Sequence, residues 1–448
     1  MNSALETFIQ NLESSYRANR FLYVIIQTSS FITSMMSSLE LSVQDVPEEF
    51  WASKFECNSD SSSKLHQQSA IAVVGKLLEI PKTIEVLILR AKALIREGHL
   101  DIAKLILEYI KYVLPEDKTA TRILESINFF NVSKFKTIDN SSEYNLVNSK
   151  DLRVWKLTDT TSCGRNGPIV TYDGSFISDG SSVDLSSCLN EVVIRDEVSS
   201  LTVDCLVPLN SSSANNFWHW CIEQLPRAYV LSSLQLDGKI LVQQKSDFVV
   251  QTLTALGFKG DDIIESNPYV DINSKALYFI EHPDLSNKYE QIYLSIREKV
   301  VSYCNSKSSN QNVRPKRIYV QRKNSRTVLN EEKLLSLLSH FGFTAICFDD
   351  MPFIDQVSIT SGAEIFLGPH GASFAHNLFM PNNSTVIELF SPNYVNPCMT
   401  HIHKFFNQKY HMVVAKNRAR SYPHQDDIEV PLDILEVVLK SIITALPS

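Results

Sequence analysis

Residues 361–380 read SGAEIFLGPHGASFAHNLFM. EIFLG is a short, nearly continuous apolar run, the pattern of a strand buried on both faces. Gly-Pro-His-Gly breaks it, and ASFAHNLFM then returns apolar residues at helical spacing. A strand that passes through a tight turn directly into a helix is one step of a parallel sheet, whose neighbouring strands need such crossovers. The step recurs on either side. Upstream lie the strand RIYVQR (317–322), the helix NEEKLLSLLSHFG (330–342), the strand FTAICF (343–348) and the helix FIDQVSITSGA (353–363). Downstream lie the strand STVIELF (384–390), the helix NPCMTHIHKFF (396–406) and the strand YHMVV (410–414). Five strands separated by helices predict a Rossmann-like parallel sheet covered on both faces, closed by an amphipathic helix over 431–446.

This second lobe, 316–448, is preceded by a different pattern. Short strands and Gly/Asp/Ser turns such as TYDGSFISDGSS (171–182) open a first α/β lobe over 150–305. A helical segment from Asn215, the strand KILVQQ (239–244), a helix over 246–257, the strand KALYFIEHP (275–283) and a helix over 288–304 complete it. The polar stretch ending in Pro315 reads as the linker between lobes. Residues 1–145 read as helical. Within them, 84–115 places Ala91, Gly98, Ala103 and Pro115 where a tetratricopeptide-type hairpin has small residues, its turn and its closing proline. The region is expected to be either a plain packing domain or a scaffold for a protein partner. The expected fold class is α/β: two Rossmann-like lobes behind an all-helical amino-terminal domain.

A chain of 448 residues has room for two or three cores. Its formal net charge of −8 excludes a broad nucleic-acid footprint, so an anionic ligand must meet a local cluster of cations and backbone N–H groups. The eight cysteines form no C-x-x-C pair, and nothing in their spacing suggests a zinc site or a disulfide framework. The start, MNSALETFIQNLESSYR, has no basic-then-apolar leader, and 21–36 falls short of a spanning helix. A cytoplasmic location, with membrane-peripheral attachment as a variant, is the expectation. Neither G-x-G-x-x-G nor a P-loop occurs, which argues against a dehydrogenase or a P-loop enzyme. Asp261-Asp262 and Asp349-Asp350 lack D-x-D spacing, and no metal or cofactor is expected.

In an open parallel sheet, ligands bind beyond the carboxyl ends of the strands. There, Gly371 and Ala372 open a helix whose N-terminus suits a phosphate, and His370 adds a donor or a charge. Arg322 and Arg326 follow RIYV, with Asn330 at the start of the next helix; guanidinium forks suit a diphosphate. Glu388 ends STVIEL, where a carboxylate could take ribose hydroxyls. In the first lobe, NNFWHWCIEQLPR (215–227) puts Asn216, His219, Trp220, Glu223 and Arg227 on one helical face. Glu223 could orient His219 and raise its basicity, as a general base requires. The bland alternatives are a tight turn, a solvated basic loop and an aromatic core helix.

Together, NNFWHWCIEQLPR, RIYVQRKNSRTVLNE, DQVSITSGAEIFLGPHGASFAHNLFMP, VIELF and YVNPCMTHIHKFFNQKYHMVV resemble glycosyltransferase family 61 over about residues 200–415. Gln321 stands where the family usually has Ser. The resemblance implies a GT-B-like fold and a nucleotide-sugar donor, UDP-linked before others. It also implies a glycan or protein hydroxyl as acceptor, inversion at the anomeric carbon, and no obligatory metal. On it, His219 and Glu223 are the catalytic candidates. Asn216, Arg322, Arg326, Asn330, His370, Gly371, Ala372 and Glu388 are the donor-binding ones. Two rivals stand beside it: an inactive helical-repeat scaffold that keeps the fold, and a nucleotide-sugar-modifying enzyme such as an epimerase.

Overall fold

The structure, a computed structural model, describes residues 9–13, 28, 83–96, 100–132, 135–137, 145–148, 152–166, 168–172, 174–178, 198–211, 213–283, 289–308, 314–396, 398, 400–420 and 423–444. The apolar stretch 21–36, the turn at Gly98 and most of the linker before Pro315 fall wholly or largely outside these residues. No helix among the described residues is long and apolar enough to cross a membrane. The chain divides into two compact units: Met1–Ser141 with Thr161–Leu201 and Asn267–Asn273, and all the rest.

In the first unit, helices α1 (Thr83–Arg96), α2 (Leu100–Val113) and α3 (Lys118–Val132) pack in succession. Ala91 and Ala103 are fully buried, so small side chains lie inside α1 and α2. Three short strands, Phe135–Thr137, Ile169–Thr171 and Phe176–Ser178, also belong to this unit.

The second unit is mixed α/β and, among the described residues, holds two larger sheets and a two-stranded one, Lys416–Arg418 with Asp427–Glu429. The first takes β1 (Val154–Ser162), β2 (Ser199–Leu209), β3 (Lys239–Val242), β4 (Ile263–Glu265) and β5 (Val270–Ile280), in the order β1-β5-β2-β3-β4. Here β2, β3 and β4 run parallel, with Val207 opposite Ile240 and Ile240 opposite Ile263. Helices α4 (Leu225–Ser233), α5 (Asp247–Ala255) and α6 (Glu290–Lys307) pack with this sheet.

All five strands read from the carboxyl-terminal sequence form the second sheet: β6 (Arg317–Val320), β7 (Thr344–Ile346), β8 (Ile365–Pro369), β9 (Thr385–Phe390) and β10 (Lys409–Val414). They are parallel throughout, in the order β7-β6-β8-β9-β10. Every residue of β8 and β9 is buried, as central parallel strands require. Side chains alternate between two cores. Ile318, Val320, Phe366 and Val386 face the core shared with the first sheet, whereas Tyr319, Leu367, Ile387 and Leu389 face helices α7 (Glu331–His340) and α10 (Leu432–Thr444). Helices α8 (Phe353–Thr360) and α9 (Thr400–Phe405) lie on the shared-core side. A Cβ on Gly368 would lie 3.0 Å from the Val320 carbonyl oxygen, so glycine lets β8 close on β6. Between those strands the winding direction reverses, which opens a crevice at their carboxyl ends.

Candidate active site

One wall of the candidate site grows from the end of β2. The chain passes Asn210 and enters a short helical turn, Phe217–His219, capped by the Asn216 side chain, which accepts the Trp218 N–H at 2.9 Å. Asn216, expected on the donor, is exposed, but its carboxamide oxygen is committed to that cap. From Trp220 to Gln224 the helix widens into a π turn. That turn splits the stripe expected from α-helical spacing. Trp220 points into the core and donates from Nε1 to Thr252 at 2.9 Å. Arg227 is buried, donating to the Ile280 carbonyl at 2.9 Å and to Gln224 at 2.8 Å. His219 and Glu223 remain at the surface, with 37% and 32% of their side chains exposed, and meet through Nδ1 and Oε1 at 2.7 Å. The hydrogen bond to Glu223 raises the pKa of His219; partial burial opposes it and the carboxylate's charge adds to it.

The other wall lies at the crevice between β6 and β8. Arg322 and Arg326 follow β6, and His370-Gly371-Ala372 follows β8. A Cβ on Gly371 would come within 2.8 Å of Arg322 Nη1 and 3.6 Å of Arg326 Cζ, so the missing side chain makes room for both guanidinium groups. Arg326 adopts a left-handed backbone (φ 57°), and its Nε is buried without a hydrogen-bond partner among the described residues. Burial, with the neighbouring Arg322, holds the pKa of Arg326 at about 10, which leaves it charged at neutral pH. Burial also lowers the pKa of Arg322. Among the described residues neither arginine has a carboxylate within ion-pair distance. Two adjacent, largely desolvated, unpaired cations are unfavourable for folding and favourable for a polyanion.

His370 is 5% exposed, stacks on Phe390 with ring centroids 4.9 Å apart, and meets Glu388 Oε1 through Nδ1 at 2.5 Å. Tyr410 donates its hydroxyl to Glu388 Oε2 at 2.8 Å. Glu388 therefore does not reach out to a ribose. It stands opposite Gly368, inside the strand end, and is wholly buried beneath His370. Asn330 is likewise occupied, because its side chain donates to the Val430 carbonyl at 2.8 Å and accepts the Val430 N–H at 3.0 Å. Ala372 opens helix 372–379, which is a 3-10 helix beginning with the Phe374 N–H on the Gly371 carbonyl at 3.0 Å.

The two walls are joined by one aromatic cluster. Phe217, two residues before His219, packs on His376 of the 3-10 helix at 4.5 Å between centroids and on Phe353 at 5.8 Å. Burial pushes the pKa of His376 down to about 3, so it serves there as a neutral ring.

Residues 217–387, from Phe217 to the middle of β9, match the family model described as Glycosyltransferase 61. Over this segment the chain is similar to glycosyltransferase family 61. Short stretches also align with named relatives. The EGF domain-specific O-linked N-acetylglucosamine transferase of Drosophila melanogaster is 36% identical over 69 residues, 15% of this chain and 13% of that protein. The human Protein O-linked-mannose beta-1,4-N-acetylglucosaminyltransferase 2 is 39% identical over 79 residues, 17% of this chain and 13% of its own length.

The candidate site also depends on residues that sequence reasoning passed over. Asp427 accepts the Thr327 N–H at 3.0 Å and its hydroxyl at 2.8 Å, and Arg420 grips Asp427 while donating to the Asn324 carbonyl at 3.0 Å. This carboxyl-terminal clamp holds the loop that carries both arginines. A separation of 100 residues between Thr327 and Asp427 leaves no local signal for it.

Proposed function

We propose that this protein is a glycosyltransferase that moves a sugar from a nucleotide diphosphate, UDP before others, to a hydroxyl of a glycan or protein. The two sheet regions would act as the lobes of a GT-B-like enzyme. The observation that carries the reading is the pair of unpaired, largely buried arginines, Arg322 and Arg326, at the β6–β8 crevice beside Gly371. N-acetylglucosamine is the first sugar to try, because the two relatives described above are named for its transfer.

In this mechanism an acceptor hydroxyl oxygen forms the new bond to the anomeric carbon while the bond from that carbon to the diphosphate oxygen breaks. His219, neutral and oriented by Glu223, takes the hydroxyl proton as general base. The departing diphosphate carries its charge onto Arg322, Arg326, His370 Nε2 and the N–H groups that open helix 372–379. Attack from the face opposite the leaving group inverts the anomeric centre. A positive field built from side chains makes a divalent ion unnecessary.

The test is to screen the purified chain against nucleotide sugars with EDTA present, reading thermal shift and then release of nucleoside diphosphate. The expected result is stabilisation by UDP and slow UDP release from one UDP-sugar. Stabilisation without any turnover on supplied acceptors would favour an inactive scaffold. Activity lost to EDTA and restored by manganese would contradict the metal-independent part.

A further inference from the structure

Pro226 disturbs the helix that carries His219 in a defined way. In an α-helix the carbonyl of residue 222 accepts the amide of residue 226; a proline there has no N–H, and its ring presses on that carbonyl. The chain adopts the π turn over Trp220–Gln224 instead, closed by the Leu225 N–H on the Trp220 carbonyl. The Ile222 carbonyl takes another donor, the hydroxyl of Tyr293 on α6, at 2.8 Å. That carbonyl belongs to the peptide unit leading into Glu223, so holding it holds the direction in which the Glu223 side chain leaves the backbone. Tyr293 is itself fixed. It is fully buried, and its ring is stacked on Phe405 of α9 with centroids 5.0 Å apart and planes 13° from parallel. One side chain thus touches the turn between His219 and Glu223 and, through its ring, the helix beside Tyr410.

From these contacts we infer that Tyr293 is a positioning residue whose hydroxyl sets Glu223 against His219. The inference rests on the reading of His219 as the base, but its first test needs no turnover. π turns recur at functional sites because they displace side chains from regular helical spacing. A buried carbonyl left without its donor is unfavourable, so the Ile222 carbonyl would re-aim once the hydroxyl is gone.

The test follows the His219 imidazole by NMR across a pH titration of the full-length chain, in wild type, Tyr293→Phe and Glu223→Gln. Glu223 is the charged group that acts on His219, through its hydrogen bond and its charge, and burial opposes it. The expected order of midpoints is wild type highest, Glu223→Gln lowest and Tyr293→Phe between them. With an accepted UDP-sugar, Tyr293→Phe should lower kcat by roughly tenfold, part of a general base's usual contribution, and leave the donor KM unchanged. A Tyr293→Phe protein that melts earlier yet titrates like wild type would overturn the inference and leave the hydroxyl a purely structural role. If Tyr293→Phe does not fold, Phe405→Leu keeps the hydroxyl but frees the ring, and its midpoint should fall by less; no movement overturns the inference equally. Normal turnover in His219→Ala would instead refute the base itself, whatever Tyr293 does.

Discussion

Two histidine–glutamate pairs face the proposed chemistry, and they are built differently. His219 and Glu223 sit four residues apart on one helix, 2.7 Å from each other and about one-third exposed. His370 and Glu388 come from neighbouring strand ends, 2.5 Å apart, with the side chains 6% and 0% exposed. The first pair can exchange a proton with a ligand or with water. The second is sealed: Tyr410 occupies the remaining carboxylate oxygen and Phe390 covers one face of the ring. A solvent-accessible pair suits a proton acceptor, and a sealed pair suits a fixed donor pointing one nitrogen outward. Similar contacts are therefore suited to different work, and burial decides which.

The comparison predicts which change should hurt most. His219→Ala should lower kcat by about 10²–10⁴-fold while UDP affinity stays near wild type, measured by UDP release and by titration calorimetry. Near-normal turnover would erase the distinction between the pairs. Glu388→Gln should act through stability instead. Gln can accept from only one of His370 and Tyr410 in the present geometry, and leaving a buried polar atom unpaired costs about 1–3 kcal/mol. A lower melting temperature with an unmoved pH profile is the expected outcome.

Glu223→Gln should give the converse, a displaced pH profile with little change in melting temperature. Because the pKa of His219 is raised, kcat should fall on the acid side at a pH above the ordinary histidine value of 6.5. Losing the carboxylate should move that limb to lower pH. The sign for stability follows from the same shift. The pair's contribution is complete below the ordinary histidine pKa and is lost as pH rises through the raised one. The smallest effect is expected from Asn330→Ala. It should destabilise by about 1–2 kcal/mol through the two lost contacts with Val430 and leave UDP affinity alone. Weaker UDP binding in a well-folded Asn330→Ala protein would return that residue to the donor site.

The second sheet was legible because its central strands are buried on both faces and so appear as unbroken apolar runs, EIFLG and STVIELF. The arginines and the Gly-Pro-His-Gly turn were legible for a related reason, since they directly follow such runs. The placement of Glu388 was not. It depends on register, which puts the carboxylate opposite Gly368 rather than beyond the sheet edge. The π turn also escaped a reading by α-helical spacing, although Pro226 was its visible cause. Asn330 met its partner, and the arginine loop its clamp, only through chain returning from residues 420–430, contacts that no local window contains.

The most direct test of the account is calorimetric titration of UDP, without divalent ions, into wild type and the Arg322→Ala/Arg326→Ala double variant. Each charge-assisted contact to phosphate is worth about 1.5–3 kcal/mol. Wild type should therefore bind UDP, and the folded double variant should bind it at least a hundredfold more weakly. Equal affinity in the two proteins would contradict the placement of the diphosphate at the β6–β8 crevice, and with it the account of the site.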